Sequence, residues 1–178
     1  MSIFLGIDPG LDGGLVWFRD DGKILRAHPM PIGWAVVNGT RKRYVDPVGL
    51  TKLINENNFD TAVIENVHAS PQMGVTSAFN FGKGFGTVLG VLAASGCSPV
   101  HVAPSVWKPA LGCTSDKRQT VTRAIWPEAG ALITAGKYGR HNVKKLLKKT
   151  EREPPYEVRH FREGCVEAAL IALWAFRC

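Results

Sequence analysis

Long apolar runs are missing from this sequence: nothing approaches the roughly 18 consecutive apolar residues of a membrane span, and the opening MSIFLGIDPG has no basic leader ahead of an apolar stretch. The expectation is a cytoplasmic protein. Cysteine is scarce as well. Cys97, Cys113, Cys165 and Cys178 have neither CxxC spacing nor the density of a secreted framework, which argues against structural zinc and disulfides. Acidic residues are outnumbered, 15 Asp plus Glu against 22 Lys plus Arg, and the resulting +7 charge favours a polyanionic partner. Internal repeats, low-complexity segments and linkers are also absent, so 178 residues are expected to form a single domain over 1–178. With 45% hydrophobic residues the chain has enough apolar surface to build a core, which excludes disorder as its main state.

The basic surplus is uneven. Lys137, Arg140, Lys144, Lys145, Lys148, Lys149 and Arg152 crowd one stretch of a basic excursion at about 127–161, where the single acid among them is Glu151. A solvated helix face accounts for such a run; contact with phosphates accounts for it better.

Ile3 to Ile7 is a continuous apolar run stopped by Asp8-Pro9-Gly10, the pattern of a buried strand that delivers Asp8 at its C-terminal end. Leu15–Arg19 and Lys23–Ala27, separated by Asp20-Asp21-Gly22, complete a β meander. Asp46-Pro47 caps a helix carrying Val48, Leu50, Leu53 and Ile54, and Thr61 to Ile64 is a second buried strand, delivering Glu65. A helix spans Gly74 to Ala94, with Gly82, Gly86 and Gly90 on one face. Each interior glycine costs up to about 1 kcal/mol, so the stripe predicts close approach by another backbone, such as a partner subunit. The GKGFG within it lacks the order of a phosphate-binding loop. Val100–Ala103 is a third strand, followed by a short helix through Trp107 and Leu111 and another from about 115 to Trp126. The segment from about Arg162 to Phe176 is apolar around its whole circumference and must be a buried helix. Strands alternating with helices predict a mixed α/β sheet.

The acids then converge. Asp8 and Glu65 emerge at the same sheet edge if their strands are parallel neighbours, the edge where open α/β folds place ligand sites. Glu163 and Glu167 share one face of the terminal helix, and the stripe of Glu167 continues into the core through Leu170, Ile171 and Trp174. Crowded carboxylates repel unless a cation neutralises them, and hard oxygen donors suit magnesium or manganese. Two such ions stabilise the attacking and leaving oxygens of a phosphoryl displacement. Acid cluster and basic surface together point to hydrolysis of a nucleic-acid phosphodiester. Simpler roles are open to each acid: Asp8 as a turn former, Glu65 as an edge residue, Glu163 as a dipole-favoured first-turn residue. Asp12, beside Gly13 and Gly14, reads as local turn structure.

These blocks, GIDPGLDGG, AVIENV, FNFGKGFGTVLGVL, VAPSVWKPALG, Asp116-Lys117 and EGCVEAALIAL, resemble in content and order the RuvC-type Holliday-junction resolvases (crossover junction endodeoxyribonucleases) of the ribonuclease-H-like superfamily, especially phage-encoded members. The resemblance implies a mixed five-stranded sheet flanked by helices, a homodimer, and two Mg2+ ions per site with Mn2+ able to substitute. It also implies paired nicking of four-way or otherwise branched DNA in recombination and repair. It matches Asp8, Glu65, Glu163 and Glu167 to the family's catalytic, metal-holding acids. Lys108 falls on a catalytic basic position, and Lys117, with Arg118 beside it, on a DNA-contacting one; Lys144, Lys145, Lys148 and Lys149 extend the DNA surface, and Gly82, Gly86 and Gly90 the dimer interface. The family usually has aspartate at one or both helix positions, so a glutamate pair leaves open which of His160, Glu163 and Glu167 completes the site. Two other functions fit part of the pattern. A junction-binding protein without cleavage would follow from an impaired glutamate pair. An actin-like nucleotide phosphotransferase would explain DPGLDGG, but needs two such domains.

Overall fold

The computed structural model describes residues 1–113 and 163–177. In chain order these form β1 (Ile3–Asp8), β2 (Gly14–Arg19), β3 (Ile24–Pro29), β4 (Ile32–Val37), β5 (Thr40–Val45), α1 (Pro47–Asn55), β6 (Thr61–Glu65), α2 (Val75–Ala94), β7 (Val100–Val102), α3 (Pro104–Ala110) and α4 (Glu163–Arg177). The expected helix near 115–126 and the basic excursion at 127–161 lie outside the described residues.

Five strands form one mixed sheet in the order β3-β2-β1-β6-β7. β1, β2 and β3 are the antiparallel meander expected from the turn residues between them, while β6 runs parallel to β1 and β7 parallel to β6. The alternation of strand side chains sorts the core into two layers. Leu5 and Ile7 of β1 and Ala62 and Ile64 of β6 face α1 and α2, where Leu50, Leu53, Val88 and Leu92 pack on them. Val16 and Phe18 of β2 and Val63 of β6 face the other way, onto Cys165, Ala168, Ala169, Leu170 and Ile171 of α4 and Trp107 of α3. α4 is therefore buried, as its uninterrupted apolar composition requires. α1 begins where the sequence signals it, with the Asp46 side chain accepting from the Val48 N–H at 3.1 Å and Pro47 in the first turn.

The tightest helix–sheet approach is made at glycines. A Cβ on Gly6 would overlap the Ala168 carbonyl and lie 2.7 Å from the Ala172 nitrogen, and Gly13 forms an isolated parallel bridge with Gly164 at the start of α4. The stripe on α2 faces open space within the chain. A Cβ at Gly82, Gly86 or Gly90 meets nothing within 4 Å, so no backbone among the described residues approaches that face.

β4 and β5 form a separate two-stranded ribbon that the sequence pattern does not announce. Its turn is Asn38-Gly39, both at positive φ (51° and 72°), the conformation that favours a two-residue hairpin. No helix among the described residues is long and apolar enough to cross a membrane.

Candidate metal centre

Because β1 and β6 are parallel with Ile7 opposite Ile64, Asp8 and Glu65 leave the sheet at the same level. Period-two alternation puts both on the α4 face, in step with Gly6 and Val63. α4 crosses this face, held close by Gly6 and Gly164, and brings Glu167 to the same point. One carboxylate oxygen each from Asp8, Glu65 and Glu167 lies within 4.8 Å of the others. Three acids distant in sequence thus converge on one small volume.

Individual contacts orient two of them. Asp8 Oδ1 accepts the Gly10 N–H at 3.1 Å, an Asx-type turn that stops β1 and fixes the side chain. Glu65, only 6% exposed, accepts from Trp107 Nε1 at 3.3 Å through Oε1. Trp107 is itself buried under α4, so the indole holds this carboxylate from the α3 side. An all-carboxylate donor set suits a hard divalent cation such as Mg2+ or Mn2+, and such a cation offsets the repulsion of three anions drawn this close. The residues present therefore fit the metal that the sequence implies.

A groove of about 610 Å³ runs past the cluster, walled by the Pro9-to-Gly13 turn, by Arg43 and Val45 of β5 and by Asn80 and Phe81 of α2. Asp12, read from the sequence as local turn structure, does more than that. Its carboxylate accepts from both terminal guanidinium nitrogens of Arg43, at 2.7 and 3.2 Å, tying the ribbon to the turn that follows Asp8. The same hydrogen bonding raises the Arg43 pKa above its ordinary value.

The remaining expected site residues are placed unequally. Glu163 opens α4 one turn before Glu167, and its side chain lies outside the described residues. Lys108 is half-buried on α3 with its ammonium 5.0 Å from the Trp107 ring centroid, next to the indole that holds Glu65 and not among the residues walling the groove. His160, Lys117, Arg118, Lys144, Lys145, Lys148 and Lys149 lie outside the described residues. Sequence reasoning missed Trp107 as a partner of Glu65 and Arg43 as a partner of Asp12. Spacing carries no signal for either, since the pairs are 42 and 31 residues apart.

The sheet order and the parallel β1–β6 pair, with helices on both faces, define a ribonuclease-H-like α/β fold. Two solved structures are similar to it throughout. Thermus thermophilus RuvC in complex with a Holliday junction substrate matches with a TM-score of 0.54 and 15% identity, covering 99% of this chain and 94% of that one. A second Thermus thermophilus RuvC structure matches with a TM-score of 0.53 and 15% identity, covering 98% and 93%. The chain shares the RuvC fold. No protein-family profile and no curated protein matches the sequence.

Proposed function

We propose that the protein is a structure-selective endonuclease that hydrolyses phosphodiester bonds in Holliday junctions or other branched DNA, using Mg2+ held by Asp8, Glu65 and Glu167. The observation that carries this reading is the convergence of those three carboxylates, from β1, β6 and α4, at the sheet edge. The fold shared with a protein bound to a Holliday junction supports the choice of substrate, and the basic balance of the chain supports a polyanion. Glu163, one turn from Glu167, is the candidate fourth acid.

The chain's own contribution is preorganisation. Gly10 and Trp107 fix the Asp8 and Glu65 oxygens before substrate arrives, so little reorganisation remains at the moment of reaction. Divalent cations held by Asp8, Glu65 and Glu167 would supply charge neutralisation on the phosphate and lower the pKa of a water. Lys108 adds a positive charge on the α3 side of the site. A homodimer suits a four-way substrate of two-fold symmetry. The exposed α2 face, with Val75, Phe79, Gly82, Gly86 and Gly90, supports that assembly, and light scattering of the parent and of Gly86→Glu tests it.

The deciding experiment incubates pure protein with labelled four-way junction and with linear duplex, in Mg2+, Mn2+ or EDTA, on a denaturing gel. Metal-dependent nicks confined to the junction are expected, with Asp8→Asn abolishing cleavage while retaining binding. Junction binding without product in either metal would instead define a binding protein, and parental cleavage by Asp8→Asn would remove the site assignment.

A further inference from the structure

The β4–β5 ribbon is long for a connection between a meander and a helix, and its composition is unusual. Thr40-Arg41-Lys42-Arg43-Tyr44 places three consecutive cations on one edge strand, and strand alternation sends Lys42 and Arg43 to opposite faces. The face with Tyr44, Lys42 and Val37 stands across from α2, leaving a groove of about 750 Å³. Leu11, Asn80 and Arg43 wall both this groove and the one at the carboxylates, so the two adjoin.

Three features define what the groove accepts. Its lining includes Lys42 from the ribbon, Lys83 from α2 and Arg43 at the junction with the metal site, and no acid among the described residues. Arg43 is committed to Asp12, whereas neither lysine has an ion-pair partner among the described residues; Lys83 rests its ammonium 5.0 Å from the Phe79 ring centroid, a contact that a phosphate can share. The rest of the lining is largely apolar, with Leu11, Ala35 and Val37, and carries uncharged Asn38, Thr40, Thr76 and Asn80. Tyr44, 44% exposed, lies over Gly33 so closely that a Cβ there would overlap its ring. A basic groove with an apolar, aromatic floor is the arrangement that binds single strands, since lysines take phosphates and an aromatic ring takes a base face. Duplex DNA would set phosphates against the apolar floor and offer no base to the ring.

We propose that the groove between the β4–β5 ribbon and α2 is the track of one unpaired DNA strand leading from the carboxylate site, with Lys42 and Lys83 on its phosphates and Tyr44 under a base. This rests on the nuclease reading and deepens it, naming the form of substrate that this side of the site holds.

The test measures binding of labelled oligothymidylate, four-way junction and linear duplex by fluorescence anisotropy across a salt series in EDTA, so that cleavage does not enter. For the Lys42→Ala/Lys83→Ala double variant the slope of log K against log salt on oligothymidylate is expected to flatten by about 1.4, at roughly 0.7 for each phosphate no longer neutralised. The Lys23→Ala/Lys52→Ala double variant, with the same charge change at exposed positions away from the groove, should keep the parental slope. Tyr44→Leu should weaken binding about five-fold or more with the slope unchanged, and Tyr44→Phe should restore it. Parental slopes in the groove variant would overturn the proposal, as would a change seen on duplex and not on oligothymidylate. A parent that binds and never cleaves removes the nuclease reading and leaves the strand track standing; a parent that binds no DNA removes both.

Discussion

Replacing Gly6 with alanine tests the seating of α4 on the sheet, because two physical effects there have opposite signs. Alanine in a strand interior is normally better than glycine by about 0.5–1 kcal/mol, since less backbone entropy is lost on folding. At Gly6 the new Cβ would overlap the Ala168 carbonyl and lie 2.7 and 2.8 Å from Ala172 N and Cβ, against about 3.4 Å for an ordinary contact. Clearing Ala172 alone demands a shift of about 0.6–0.7 Å, and the carbonyl demands more. Main-chain atoms of a buried helix cannot swing aside as a side-chain tip can. Overpacking of this kind costs about 1–3 kcal/mol, so the net expectation is a loss of about 1–2 kcal/mol. Urea unfolding should show a lower midpoint at unchanged slope, and thermal unfolding should fall by roughly 2–8 °C. A helix displaced by this amount carries Glu167 away from Asp8, and a 1 Å misplacement costs about 100-fold in rate, so junction cleavage should fall by about one to two orders of magnitude. A Gly6→Ala protein as stable and as active as the parent would refute the account of how α4 is seated.

Trp107→Phe keeps a buried ring but removes the N–H that Glu65 accepts, and should cost about 1–2 kcal/mol in urea unfolding while lowering turnover more than substrate affinity. An unchanged turnover would show that the indole does not orient Glu65. Mn2+ at 100 times its dissociation constant should stabilise the protein by roughly 2.7 kcal/mol, about 5–11 °C in thermal unfolding, and Asp8→Asn should abolish that shift. The Asp21 carboxyl is held down to about 2, chiefly by its hydrogen bond from Arg19, against an ordinary 3.8. Its folded-state value is the lower one, so its contribution is present above about pH 4 and is lost as pH falls through 2. The stability gap between parent and Asp21→Asn should therefore narrow between pH 4 and 2, and a constant gap would refute the pairing. Asp12→Ala, which breaks an exposed ion pair with Arg43, should cost no more than about 1 kcal/mol in urea unfolding.

Much of this architecture was legible because it rests on local pattern. The runs before Asp8 and Glu65 are continuous and apolar, as strands covered on both faces must be, and the terminal helix has no polar face to expose. The ribbon escaped because its apolar residues are not buried. Trp34, Val36 and Val37 are exposed, so no inside-and-outside alternation marks β4; the Asn38-Gly39 turn was the available signal. Among the described residues, close backbone approaches are at Gly6 and Gly164, whose neighbours are remote in sequence, so no local spacing marks them. The pairings of Glu65 with Trp107 and Asp12 with Arg43 depend on how the sheet stacks, which no local window contains.

The seating of α4 against β1 also orders events in time. A chain made from its N-terminus presents Asp8 first and Glu65 soon after, on strands that can already pair, but Glu167 leaves the ribosome only after the long basic stretch between. Until α4 closes against Gly6 and Gly13, the cluster is short of one of its three carboxylates. A nascent or truncated polypeptide can thus bear the basic ribbon before its third carboxylate is in place. The three-carboxylate cluster appears last, as a product of complete folding.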